Sequence, residues 1–183
     1  MIRRYWFPKP YADRVQRLRV PFGFLLVGAF AWLSQPTLGS LAAGIPIALA
    51  GLALRAWAAG HLAKNRELAT SGPYGHTRNP LYVGTLTVAA GLVLAARRPA
   101  LAVLFAAAFA LVYLPAIELE EQHLRKLFPA YAEYARNVPL LWPRPRRWGA
   151  ARRFRFELYL RNQEYQALAG LLAGLALLTW KAA

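Results

Sequence analysis

The chain has 183 residues, 57% of them hydrophobic, with 23 Lys plus Arg against 8 Asp plus Glu and a formal net charge of +15. High apolar content with a strongly basic balance belongs to a chain embedded in a membrane and facing anionic headgroups. There is no cysteine, which excludes disulfides, thiolate metal sites, iron–sulfur clusters and a cysteine nucleophile.

Residues 1–19 come first. Tyr5, Trp6, Phe7 and Tyr11 alternate with Arg3, Arg4, Lys9 and Arg14, a mixture that puts aromatic rings at headgroup level and cations toward anionic lipid. The segment is too long and aromatic for a signal n-region, and no A-x-A-like site follows, so it is expected to stay on the protein.

Five apolar runs follow: Val20–Ser34, Leu41–Leu62, Leu81–Ala96, Pro99–Ile117 and Gln166–Trp180. A helix needs about 20 residues to cross a ~30 Å hydrocarbon core, so the shorter runs must borrow flanking residues. Their many alanines and glycines suit close helix packing in lipid. A soluble all-α protein is the alternative, but nearly all charge lies between the runs. The expected fold is therefore all-α, with about five transmembrane helices plus cytosolic interfacial helices in a single domain. Residues 1–19 form an interfacial segment, 20–117 hold spans one to four, 118–165 cover the cytosolic face, and 166–183 form the fifth span.

Charge orients this arrangement. Nineteen of the 23 cations and all eight acids fall in 1–19, 63–80 and 118–165, whereas Arg97, Arg98 and Lys181 lie on the opposite side. The positive-inside rule then places the N-terminus and these loops on the cytosolic side, and a bacterial or archaeal inner membrane is the expected location. Loops 63–80 and 118–165 share a face and can meet. Arg55 sits within the second span, where it either snorkels to the interface or pairs with an inside carboxylate. The basic, aromatic stretch 142–161 repeats the N-terminal mixture, and membrane lipid rather than nucleic acid is its expected partner.

Two segments carry candidate chemistry. In SGPYGHTRNPLYVG, Gly72 and Pro73 turn the chain and Pro80 suits the first turn of a helix, with Arg78, Asn79 and Tyr82 at its mouth. A helix N-terminus beside an arginine suits a carboxylate or phosphate, although such a loop also binds headgroups. In IELEEQHLRKLF, residues 117–128, Ile117, Glu121, Leu124, Phe128 and Tyr131 follow helical steps, with Glu120 on the stripe's other edge. Pro129 is expected to open a new helix. A carboxylate on an apolar face needs a partner, so Glu121 reads either as a structural ion pair with Arg78 or Arg136 or as a functional group. From Pro99 to Phe128 a helix runs about 45 Å, which carries Glu120 and Glu121 beyond the membrane toward the Arg78 loop. His61, His76 and His123 show no metal-ligand spacing, and no metal is expected.

GPY, then R-N-P-x-Y-x-G entering a span, then a span ending in EExxLxxxF with a following YxxY and VP, resembles the isoprenylcysteine carboxyl methyltransferase and phospholipid methyltransferase superfamily over about residues 50–142. The resemblance implies an S-adenosylmethionine-dependent integral membrane methyltransferase with a cytosolic cofactor site, acting on a lipid-like or prenylated acceptor that enters from the bilayer. Carried over by motif, Gly72, Pro73, Tyr74, Arg78, Asn79, Pro80, Tyr82, Glu120 and Glu121 are the implied cofactor contacts, and Arg78, Asn79 and Glu121 the residues nearest the chemistry. Asparagine stands at 79 where the family commonly has histidine, and the family's F-G-x-x-Y is here Phe128, Pro129, Ala130, Tyr131. LPAIELEE lacks the arginine that eukaryotic prenylcysteine enzymes carry before the acidic pair. An NADPH-dependent membrane reductase and a non-enzymatic membrane protein are the competing readings.

Overall fold

The computed structural model describes residues 6–145, 148–149 and 151–183. Arg3, Arg4 and Tyr5 of the N-terminal anchor, and Arg146 and Arg147 of the second basic stretch, lie outside the described residues. Every regular element described is helical: α1 Lys9–Leu33, α2 Leu38–Ala59, a 3₁₀ turn Gly72–Gly75, α3 Pro80–Ala96, α4 Pro99–Ala108, α5 Leu114–Leu127, α6 Tyr131–Asn137, α7 Phe156–Arg161 and α8 Tyr165–Ala182.

Two helices are long and apolar enough to cross a membrane, Leu38–Ala59 and the continuous rod Pro99–Leu127, while Val20–Leu33 and Pro80–Ala96 are shorter apolar helices. Membrane character thus rests on two full-length rods. The interfacial segment and the first apolar run share one helix, since α1 runs unbroken from Lys9 through Pro21 to Leu33. A change from charged to apolar side chains alters what a helix faces without ending it.

The α2–α3 pair forms the centre. Thr37 caps α2, its hydroxyl accepting from the Ser40 N–H while the Ser40 hydroxyl accepts from the Thr37 N–H. The two helices run antiparallel with backbones nearly touching: a Cβ on Gly91 would lie 2.4 Å from Ala48 N, and one on Gly51 would lie 2.6 Å from Val88 N. Only glycine allows that approach. At one end, Phe30, Leu41, Ala95, Leu101 and Leu178 pack together. The Lys181 ammonium there donates to the Ala31 carbonyl at 2.8 Å, satisfying a carbonyl near the end of α1.

The rod from Pro99 to Leu127 has 29 residues, about 43 Å of helix, and outruns a ~30 Å core as the sequence suggests. Its middle, Phe109–Tyr113, is a π turn. Pro115 has no N–H to give the Leu111 carbonyl its ordinary bond, and the Tyr11 hydroxyl of α1 donates to that carbonyl at 2.6 Å. The rod stops at Phe128, and α6 begins only at Tyr131, so Pro129 lies in the connecting turn instead of opening the helix.

The loops gather at the other end of the α2–α3 pair. Arg78 N donates to Pro139 O, Arg144 N to His76 O, Trp148 N to Gly75 O and Arg155 N to Gly60 O, each within 3.0 Å. The two charged loops meet, and α6 roofs the mouth of the bundle.

Candidate functional site

A cavity of about 800 Å³ opens beneath that roof, within the roughly 300–1,000 Å³ of small-molecule sites. Its wall comes from Asp13 and Gln16 of α1, Arg55 of α2, Arg78 to Tyr82 and Thr85 of the α3 entry, and Tyr113, Glu120 and His123 along the rod. Tyr74, Tyr131 and Tyr134 close it from the loop side.

The entry to α3 forms as its sequence dictates. Gly72 takes φ +57°, and a Cβ there would sit 2.8 Å from the buried His61 ring, so the turn needs glycine on both counts. His61 is held between the carbonyls of Trp57 and Arg152. Pro80 then starts α3, and Asn79, just before it, donates through Nδ2 to the Leu140 carbonyl at 3.1 Å. Asn79 therefore pins the strap after α6 while lining the cavity. Leu81 and Tyr82, whose N–H groups are the first of α3, line this wall.

Arg78 and Glu121 form a buried ion pair, with Nε 2.6 Å from Oε1 and the side chains 7% and 10% exposed. The two atoms meet by charge and not by an aligned hydrogen bond. Arg78 Nη1 also donates to Ala135 O at 2.7 Å and Val138 O at 3.1 Å, so the guanidinium sits on the C-terminal carbonyls of α6, where a cation is favoured. Arg78 still lines the cavity; Glu121 is not among the lining residues. Glu120, one residue earlier, is on the wall, with the Tyr82 hydroxyl donating to its Oε2 at 3.4 Å. Gly72 and Pro73 shape the turn from behind the wall, whereas Tyr74, Arg78, Asn79, Pro80, Tyr82 and Glu120 share the space.

Burial pushes the Tyr74 phenol well above its ordinary range, and Glu120 adds to the rise. Tyr131 is raised mainly by burial, with Glu121 adding and Arg78 opposing; Tyr134 is raised mainly by burial, against Arg78. All three stay neutral hydrogen-bonding walls, and Tyr134 Oη donates to the Tyr74 carbonyl at 2.8 Å.

Arg55 takes the paired alternative. Its Nε lies 2.5 Å from Glu164 Oε1, and its Nη1 meets the Thr85 hydroxyl, so the head of α8 is tied to α2 and α3 across the cavity wall. Asp13, Gln16, Tyr113 and His123 are lining residues that the sequence motifs did not mark. His123 had a signal, since it lies one turn after Glu120 on the same rod; its Nε2 is 3.4 Å from Asn65 Oδ1.

Apolar helices carrying a polar, loop-roofed cavity at one end define a protein that is all-helical among the described residues, of membrane character, with a cavity of small-molecule size. Residues 48–131 match the phospholipid methyltransferase family, which is part of the superfamily of isoprenylcysteine carboxyl and phospholipid membrane methyltransferases. The match runs from α2 to the first residue of α6 and contains most of the cavity wall. The chain is 42% identical over 110 residues to the cobalt-zinc-cadmium resistance protein CzcN of Cupriavidus metallidurans, covering 59% of this chain and 49% of that protein. It is 36% identical over 115 residues to the nickel-cobalt-cadmium resistance protein NccN of Alcaligenes xylosoxydans xylosoxydans, covering 62% and 53%. The chain thus spans about half the length of the curated relatives it matches. No solved structure matches it.

Proposed function

We propose that the chain transfers a methyl group from S-adenosylmethionine to a lipid-like acceptor at the cytosolic face of a bacterial or archaeal inner membrane, with five spans and a cytosolic N-terminus. The observation that carries this reading is one cavity, between apolar helices, whose wall joins the Arg78-Asn79-Pro80-x-Tyr82 entry of α3 to Glu120 inside a methyltransferase-family segment.

The donor set fits the cofactor. Glu120 offers a carboxylate to an ammonium or to ribose hydroxyls, the N–H groups of α3's first turn suit a carboxylate, and Tyr74, Tyr82 and Tyr113 offer ring faces to positive charge. When bound, S-adenosylmethionine supplies an electrophilic methyl group on a sulfonium. Arg78 and Glu121 act as positioning residues that lock the α3 entry to α6. Asn79 holds the strap that shields the cavity from water. An anionic acceptor needs alignment alone; a neutral amine or hydroxyl needs a base, and Glu120 and His123 are the candidates on the wall. The acceptor approaches between the apolar helices, the donor from the loop side.

Titration of the detergent-purified chain with S-adenosylhomocysteine and with NADPH tests this. Saturable S-adenosylhomocysteine binding that falls tenfold or more in Glu120→Gln is expected, together with labelled lipid after incubation with radiolabelled donor. Saturable binding of NADPH alone would overturn it.

A further inference from the structure

A second, smaller hollow of about 220 Å³ lies beside the main cavity and shares its Leu62 and Lys64 wall. It is formed by two turns: Lys64 and Arg66 come from the loop after α2, and Arg161, Asn162 and Gln163 from the α7–α8 junction. No carboxylate lines it.

Two nearby acids are committed elsewhere, and Glu157, one turn before Arg161 on α7, forms no ion pair among the described residues. Glu67 lies 2.6 Å from Arg152, and Glu164 lies 2.5 Å from Arg55. Among the described residues no acid forms an ion pair with Lys64, Arg66 or Arg161, so three cations line one hollow without a paired counter-charge. Mutual repulsion would spread three free cations on mobile loops. These loops are fixed instead: Asn162 Nδ2 donates to Ala59 O at 2.9 Å and to Leu62 O at 2.8 Å, stitching one turn to the other. Asn65 and Gln163 are held at φ 58° and 55°, one in each turn. A rigid frame that keeps like charges together is the arrangement of an anion receptor.

We propose that this hollow is a binding site for a phosphate-bearing anion, and that its occupant is the headgroup phosphate of an anionic phospholipid. Helix α7 favours that source. Phe156 and Leu160, one turn apart, are 62% and 47% exposed, and Arg153, Arg155 and Arg161 flank them, so an apolar face meant for lipid lies next to the cationic hollow. The site stands on its own charges and does not depend on what fills the main cavity.

The test uses the full chain in uncharged maltoside micelles, titrated with dihexanoyl phosphatidylglycerol or with inorganic phosphate and followed by calorimetry and ³¹P NMR. The expected result is saturable binding that weakens tenfold or more in Arg66→Gln/Arg161→Gln and stays within twofold in Lys126→Gln/Arg136→Gln. That control removes the same charge from exposed positions outside the hollow. Thermal unfolding within 2 °C of the parent would show both variants folded, and single Lys64→Gln replaces the pair if the double variant fails this check. Tighter binding of the lipid confirms the headgroup, and equal binding of phosphate keeps the anion site but assigns it to the free ion. Equal loss in the control, parental affinity in Arg66→Gln/Arg161→Gln, or no binding of either probe overturns the site.

Discussion

Replacing either member of the Arg78–Glu121 pair separates a structural role from contact with ligand. Both side chains are at least nine-tenths shielded, so solvent screens the pair little, and removing one partner of such a pair costs about 3–5 kcal/mol. Arg78→Met belongs at the upper end, near 5 kcal/mol, because it also strands the Ala135 and Val138 carbonyls that Nη1 now satisfies. Glu121→Gln belongs at the lower end, near 3 kcal/mol, since Arg78 keeps those two carbonyls. The double variant should fall short of the sum by about 2 kcal/mol, as contacting residues do. At roughly 2–4 °C per kcal/mol for a chain of this size, Glu121→Gln should lower the thermal midpoint in detergent by about 6–12 °C. Its remaining folded fraction should bind S-adenosylhomocysteine with parental affinity, because Glu121 is not on the cavity wall. A Glu121→Gln protein that melts with the parent yet fails to bind would refute this reasoning and make Glu121 a ligand contact.

At the helix pair, Gly91→Ala should destabilise by about 1–3 kcal/mol by forcing α2 and α3 apart, while Gly23→Ala, where nothing lies within 4 Å, should be neutral or stabilising; equal melting of the two would contradict the close packing. Alkaline pH should loosen the loop end. Tyr74, Tyr131 and Tyr134 keep their protons in the folded state above the unfolded value of about 10, so beyond that pH the unfolded chain binds fewer protons and stability falls, by about 1.4 kcal/mol per pH unit for each tyrosine. Stability is unaffected by these groups below that pH, and Tyr131→Phe should remove about a third of the slope; denaturant midpoints between pH 9 and 11.5 that run parallel in both proteins would dismiss it.

The α3 entry was legible because turn chemistry is local: Gly72 needs a positive φ, and Pro80 fixes where the helix starts. The meeting of the loops followed from charge, which sorts segments to one side whatever their packing. The continuity of α1 was not legible, since the change at residue 19 concerns environment and leaves the backbone ladder intact. The acidic pair shows a subtler limit. Neighbouring residues on a helix point about 100° apart, and here Glu120 lines the cavity while Glu121 turns to Arg78. The stripe through Ile117, Glu121 and Leu124 looked like the inward face, and Ile117 and Glu121 are indeed buried, but Glu121 is buried against Arg78. The cavity takes Leu124, Phe128 and Tyr131 of that stripe together with the adjacent Tyr113, Ala116, Glu120 and His123. The π turn at Phe109–Tyr113 precedes Ala116 to Phe128, and an inserted residue rotates that whole segment by roughly 100° relative to α4. Hydrophobic periodicity finds the buried face of a helix, and here that face is shared between an ion pair at Glu121 and a cavity wall at Leu124 and Phe128, with Glu120 and His123 beside them on the wall.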